Sequence, residues 1–420
     1  MQGGGLGTAM APSLSLPYSY IIAALAFFLA LNVLLPFNAD ALLGAPRAPH
    51  LLALVHITSL GWVTMLIMGA TFQLVPVALQ VPIASEEMGR QQFVLYLLGV
   101  IVMAVSLWTW WPLGIGFAGM LLLSAVILYL INMALTLSRV ARWDFIAWHL
   151  AWSFGYLGLI ALAGMTMAVN HIYPFFDRQT LDLLRAHAAT AILGWVGMMI
   201  MGVAYKLIPM FTLGEDMLRP RLAWIELWLV NIGILGLAGA LLGWGGGWLG
   251  PLAGLVLLAG VGLFAYQIFF LYRRRRRRVF DINFPFTLAS VAYLLGIILA
   301  GGLGLTAVLP GGERLWIALG YLAFLGWITL IIMGQLYKIN TFLVWLTKYS
   351  SRVGKEPVPR LEELYSRPLG MGSYYAYNVG VLGAAAGIYL GQPLLLTVAL
   401  AMAAAASLGF LWNMVNIFRR

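Results

Sequence analysis

One stretch of the chain is written three times, and that repetition constrains everything else. It reads HITSLGWVTMLIMGATFQLVP from His56 to Pro76, then HAATAILGWVGMMIMGVAYKLIP from His187 to Pro209. The third copy, ALGYLAFLGWITLIIMGQLYKINTF, runs from Ala318 to Phe342. Aligned on Leu-Gly-Trp, the copies superpose Trp62, Trp195 and Trp327, and then Gly69, Gly202 and Gly334. The spacing is about 132 residues, so three units nearly fill the chain, and a period of that length sets the architecture before any local motif is weighed. The first two copies carry a histidine near the start of the helix; the third does not.

The setting of the repeat is apolar. Hydrophobic residues make up 62% of the 420 and charged residues 9%, with a mean hydropathy of +0.94. A soluble domain has no use for so much apolar surface, so the chain reads as a polytopic membrane protein. There is no cysteine, which removes disulfides, thiolate haem ligands, iron–sulfur clusters and thiol-based zinc sites together. Metal chemistry would fall to five histidines, a few carboxylates, Met and Tyr. The N-terminal residues have no lysine or arginine ahead of the first apolar run. They therefore lack the basic region of a cleaved signal peptide and read as a short flexible tail, residues 1–19.

About twelve apolar runs reach the roughly 20 residues that a bilayer crossing needs. They begin near Tyr20, Leu51, Gln92, Leu113, Phe145, Leu183, Leu222, Gly247, Ile282, Leu315, Met371 and Pro393. The expected fold is an all-α polytopic membrane protein of about twelve transmembrane helices in three quasi-repeated four-helix arcs. Residues 20–420 form one membrane domain with repeats at 20–137, 145–272 and 282–418, and the Leu-Gly-Trp helix is second in each set. Loops after odd-numbered runs hold only Arg47, Arg178, Arg185 and Arg314 of the 24 basic residues. The excess of positive charge on the other side predicts cytoplasmic termini in an inner cell membrane. The run Arg273–Arg278 abuts the eighth span and reads as a stop-transfer anchor rather than a lipid or nucleic-acid patch. The long basic loop from Lys338 to Pro368 reads as a cytoplasmic connector.

Ionisable groups within membrane spans are the candidates for chemistry. His56 and His187 lie in the first two turns of helices that enter from outside, at similar depth. A neutral imidazole there suits an axial haem ligand; a hydrogen bond to a neighbouring helix explains it equally. His56 stands six residues before its tryptophan and His187 eight before. Two residues are about 200° around a helix, so the side chains leave in different directions. The third copy has Tyr321 and Leu319 at those positions. Lys206 and Lys338 occupy matched sites near the inner ends and read as snorkelling lysines. The repeated glycines, Gly61, Gly69, Gly194, Gly202, Gly326 and Gly334, permit either close helix contact or room for a flat macrocycle.

A sixth helix reading His-Ala-Ala-Thr, then Gly-Met-Met, Gly and Tyr-Lys-Leu-Ile-Pro resembles the catalytic subunit of haem-copper oxygen and nitric-oxide reductases, the C-type oxidases above all. The resemblance implies twelve spans with cytoplasmic termini and a threefold quasi-repeat. It implies a low-spin haem ligand at His56 and, at His187, the place of a copper-site histidine. The departures matter as much. No histidine lies in the span from Leu222 to Leu242 or in that from Leu315 to Val344, where the family places its copper pair and two haem ligands. Copper is therefore not expected. His149 lies near the opposite end and reads as a satisfied interface residue; His171 reads as a loop histidine, and His50 is a fallback for His56. Arg47, Arg185 and Arg314 precede the repeated helices and suit haem propionates or rim anchors.

Three functions follow as expectations. The first is a haem b protein without copper, acting in electron transfer or in binding nitric oxide or oxygen, with an electron donor or respiratory-complex subunits as partners and no nucleic acid. The second is a cofactor-free transporter or channel, for which Glu226 is the one acidic residue inside a span, near its inner end. The third is an accessory protein of a respiratory complex.

Overall fold

A computed structural model describes residues 13–176, 180–276, 281–306, 308–310 and 312–420. Residues 1–12 of the tail expected at 1–19, together with Arg178, Arg277 and Arg278, lie outside them, and from Ser15 on the expected tail is helical. The described residues contain helices and turns and no strand. Twelve long helices are α1 (Ser15–Phe37), α2 (Pro49–Leu79), α3 (Glu86–Trp108), α4 (Pro112–Leu137), α5 (Phe145–Ile172) and α6 (Leu181–Thr212), then α7 (Pro220–Leu241), α8 (Gly246–Arg274), α9 (Asn283–Leu305), α10 (Gly312–Lys348), α11 (Arg367–Leu390) and α12 (Pro393–Arg419). Each expected apolar run falls on one of these, and the first begins at Ser15 rather than Tyr20. Eleven are long and apolar enough to cross a bilayer; α11, with Arg367, two glycines and three tyrosines in its first half, is the less apolar twelfth. Leu29, Val33, Leu98, Phe117, Leu159, Leu235 and Leu255 face outward. Large apolar side chains on so many helix exteriors make the chain an integral membrane protein in contact with lipid.

The chain divides into two compact units. One is Met1–Ala24 with Ser59–Arg278, the other Leu25–Thr58 with Val279–Arg420. The division passes through α1 and α2.

The repeated helices are the buried ones. In α2, α6 and α10, 72, 67 and 72% of the most apolar window is buried, against 11–56% in the other eight spans. Trp62, Trp195 and Trp327 are at most 1% exposed. Each helix changes pitch at the motif: Ile57–Thr64, Thr190–Gly197 and Leu322–Ile328 are π-helical, and in the alignment all three begin at the same position. A π turn leaves carbonyls out of the α pattern, and side chains from neighbouring helices meet two of them. Tyr96 Oη donates to Leu60 O at 3.3 Å and Ser153 Oγ to Trp195 O at 2.7 Å.

The pairs α3 with α4, α7 with α8 and α11 with α12 each form an antiparallel hairpin on a tight turn. Left-handed residues make those turns: Trp110 (φ 53°) between α3 and α4, Gly243 (84°) and Gly245 (70°) between α7 and α8, and Gly391 (64°) between α11 and α12. At the opposite ends, an amide on the second helix of each hairpin holds the backbone just before the first. Asn132 accepts from Ser85 N at 3.1 Å, Gln267 from Arg219 N at 3.2 Å and Asn413 from Ser366 N at 2.9 Å. These are orphan donors at helix starts, satisfied across the hairpin.

Candidate functional site

The expected haem ligands are placed as follows. His56 is half-buried on α2, and its Nδ1 lies 2.7 Å from Leu52 O. A carbonyl accepts only, so Nδ1 carries the proton and Nε2 keeps its lone pair. An axial ligand needs that tautomer and orientation. His187 is half-buried on α6, and its Cε1 would lie 3.4 Å from a Cβ added at Gly164 of α5, an ordinary contact. Both histidines precede their π segments, so the angle between their exits is unchanged by the change of pitch. His50 is exposed in the first turn of α2, and Arg47 is exposed just before it. Arg185 is exposed and lies 3.6 Å from Asp182 one turn away. Arg314 covers the backbone of Gly391, as a rim anchor would. His171 is held by the Trp110 ring, with centroids 4.6 Å apart.

The repeated glycines make close contacts. A Cβ at Gly69 would stand 2.4 Å from Tyr20 Cβ, at Gly202 2.7 Å from His149 Cβ, and at Gly334 2.7 Å from Phe286 Cβ. Gly194 is likewise covered by Tyr156 and Gly326 by Tyr293. These five leave no room for a macrocycle beside them. Of the haem requirements, the ligand orientation at His56 fits, and the space does not come from these glycines. Among the described residues, no three of His, Asp and Glu are grouped to hold a metal ion. A haem asks the protein for only one or two axial ligands.

The same glycine contacts define matched polar clusters near the opposite ends of the helices. In the first set, Tyr20 Oη bonds to Gln92 and, at 2.9 Å, to Gly89 O. Phe72 and Tyr129 pack around it, with Phe72 5.6 Å from Tyr20 and 5.9 Å from Tyr129. In the second set the corresponding residues are His149, Glu226, Tyr205 and Phe264. In the third, Phe286 lies beside Tyr337, whose hydroxyl accepts from Asn413 Nδ2 at 3.0 Å and whose ring meets Phe410.

Only the second cluster holds ionisable side chains of opposite type. His149 and Glu226 are both 0% exposed, with Nε2 3.0 Å from Oε2. Tyr205 Oη donates to the same Oε2 at 3.0 Å, and Gln267 Nε2 donates to Tyr205 Oη at 3.1 Å. His149 Nδ1 lies 2.6 Å from Phe145 O, and Glu226 Oε1 is buried without a hydrogen-bond partner. His149 and Glu226 were separate candidates in the sequence, 77 residues apart, with no local signal that pairs them. The signal that pairs them is the match of α1 with α5 and of α3 with α7, which sets His149 against Tyr20 and Glu226 against Gln92. Lys338 of α10 forms an ion pair with Asp281, just before α9, and is mostly buried. It is a paired lysine rather than a snorkelling one.

The fold and these sites define an all-helical integral membrane protein with an internally repeated buried helix. No protein-family model matches the chain, and no curated protein matches it.

Proposed function

We propose that the chain is a haem-binding membrane protein on the scaffold of the haem-copper oxidase catalytic subunits, without the copper centre. Twelve membrane crossings in three four-helix arcs, with both termini cytoplasmic in an inner cell membrane, belong to this reading. The observation that carries it is the His56 imidazole. Its Nδ1–H is committed to Leu52 O, which turns the Nε2 lone pair away from its own helix as an axial ligand requires. His187, in the second copy, is the alternative axial ligand for the one haem. A bound b-type haem would supply one-electron chemistry or an iron that takes up nitric oxide or oxygen. The chain's own part is to orient His56, to exclude water with apolar side chains, and to anchor the rim with Arg47, Arg185 and Arg314.

The test is an absorption spectrum of the detergent-purified protein, oxidised and reduced, from haem-sufficient growth. A Soret band with sharp reduced α and β bands is expected. It should be lost or weakened in His56→Ala or His187→Ala and unchanged in His171→Ala. A colourless protein, or full pigment in both ligand variants, overturns the reading. One observation favours a second reading, a cofactor-free transporter: the fully buried Glu226 sits where ion coupling could use it.

A further inference from the structure

We propose that His149 and Glu226 form a proton-binding site, in which one shared proton holds α5 to α7. Such a site needs no haem and is compatible with either function above.

The hydrogen-bond directions leave little freedom. The backbone N–H of Arg219 donates to Gln267 Oε1, which fixes the amide and makes Nε2 the donor to Tyr205 Oη. The tyrosine hydroxyl, having accepted there, donates its own proton to Glu226 Oε2. At the other end, Phe145 O can only accept, so His149 Nδ1 carries a proton. That leaves Nε2 and Oε2 facing each other at 3.0 Å. With a neutral imidazole and an ionised carboxylate, both would present lone pairs. The contact therefore requires one more proton, on Nε2 or on Oε2. Either way the pair is neutral overall. A proton released from it passes to water, and two acceptors are left opposed, so the His149–Glu226 contact must open. A proton taken up from water closes it again.

Glu226 Oε1 supplies an independent observation. It is buried and has no partner, a costly arrangement that a purely structural ion pair would avoid by satisfying both oxygens. The site also lies close to the ends of the helices that build it. His149 is about 6 Å along the axis from the start of α5, and Glu226 about 9 Å from the start of α7. Tyr205 and Gln267 come from the last two turns or so of α6 and α8, so the hydrogen-bonded chain ends at the backbone of Arg219, an exposed residue. On the four packed helices and their ends, Tyr205 is the titratable group bonded to the pair. Asp144 accepts from Ala147 N at 2.9 Å, Lys206 is half-buried, and the Arg219 guanidinium lies over Phe270. None of these three has a hydrogen bond to the pair among the described residues.

The test is infrared difference spectroscopy of the full-length protein in lipid nanodiscs, stepped from about pH 5 to about pH 9, which spans the ordinary value of a free imidazole. A pH-dependent carboxyl and imidazole signal is expected in the native protein, lost in Glu226→Gln and shifted in His149→Gln. The double variant His149→Tyr with Glu226→Gln rebuilds the Tyr20–Gln92 arrangement. It guards against misfolding of a single variant, and it should fold and lose the signal. Proton release measured in weakly buffered suspension should fall by about one proton per chain in the double variant. A native carboxyl signal that Glu226→Gln leaves intact would overturn the proposal, as would equal proton release from native and double variant.

Discussion

The glycine contacts give the most direct test of how the repeated helices pack. Alanine at Gly69, Gly202 or Gly334 places a Cβ 2.4–2.7 Å from the Cβ of Tyr20, His149 or Phe286. Carbon atoms pack at about 3.5–4.0 Å, so the facing helices must part by roughly 1 Å. A gap of that size forfeits about a quarter to a half of each neighbouring contact. Overpacking of this kind costs about 1–3 kcal/mol. Alanine also favours the helix over glycine by up to about 1 kcal/mol, and that contribution must be removed. Gly155 and Gly296 provide the control, because a Cβ at either meets nothing within 4 Å. The helix preference is common to both groups, so the difference between them is the overpacking cost alone, about 1–3 kcal/mol. Tryptophan fluorescence during denaturing-detergent unfolding of the purified protein reads it. Equal midpoints for Gly202→Ala and Gly155→Ala would refute the packing argument. Loss of pigment without loss of stability in Gly69→Ala or Gly202→Ala would mean that these glycines line a cofactor after all.

Two further outcomes are expected. His149→Phe leaves the Glu226 carboxylate buried without its imidazole and should cost about 3–5 kcal/mol, whereas His149→Tyr with Glu226→Gln should cost far less; unfolding midpoints decide it, and a double variant as destabilised as His149→Phe would contradict the pairing. Thr64→Val removes the acceptor that Trp195 Nε1–H meets at 3.1 Å and leaves a buried indole donor unpaired. A loss of about 1–3 kcal/mol is expected in the same unfolding experiment, and no loss would mean that Trp195 is held by packing alone.

The helices were legible because their signal is local. Apolar runs, flanking prolines such as Pro112, Pro220 and Pro393, and the Leu-Gly-Trp landmark sufficed to place the eleven membrane-spanning helices. The roles of the glycines were not legible, since the sequence does not say whether a side chain or open space lies opposite. Tyr20, His149 and Phe286 answer that, and they share no chemistry that an alignment by identity would detect. The π segments carried no local signal either: Ile57–Thr64 contains neither proline nor a polar run, and the change of pitch is supported by contacts from other helices. The pairing of His149 with Glu226 spans 77 residues. It emerges only when the first and third helices of each set are compared in space.

That comparison carries the strongest argument about function. The chain solves one packing problem three times: a glycine on the repeated helix, a side chain from the first helix lying on it, and an aromatic residue from the fourth. The first set closes it with Tyr20 and Gln92, and the third with Phe286 and the Tyr337–Asn413 bond. Both are neutral and buried. The scaffold therefore does not need an ionisable pair at this position, and a buried pair is seldom the most stable solution where a neutral one fits. His149 and Glu226 accept that cost in the second set alone, with one carboxylate oxygen left without a partner. A departure from local consistency in one of three equivalent settings is where function is expected to reside. Here it marks the second set, rather than the motif shared by all three, as the place where the chain handles protons.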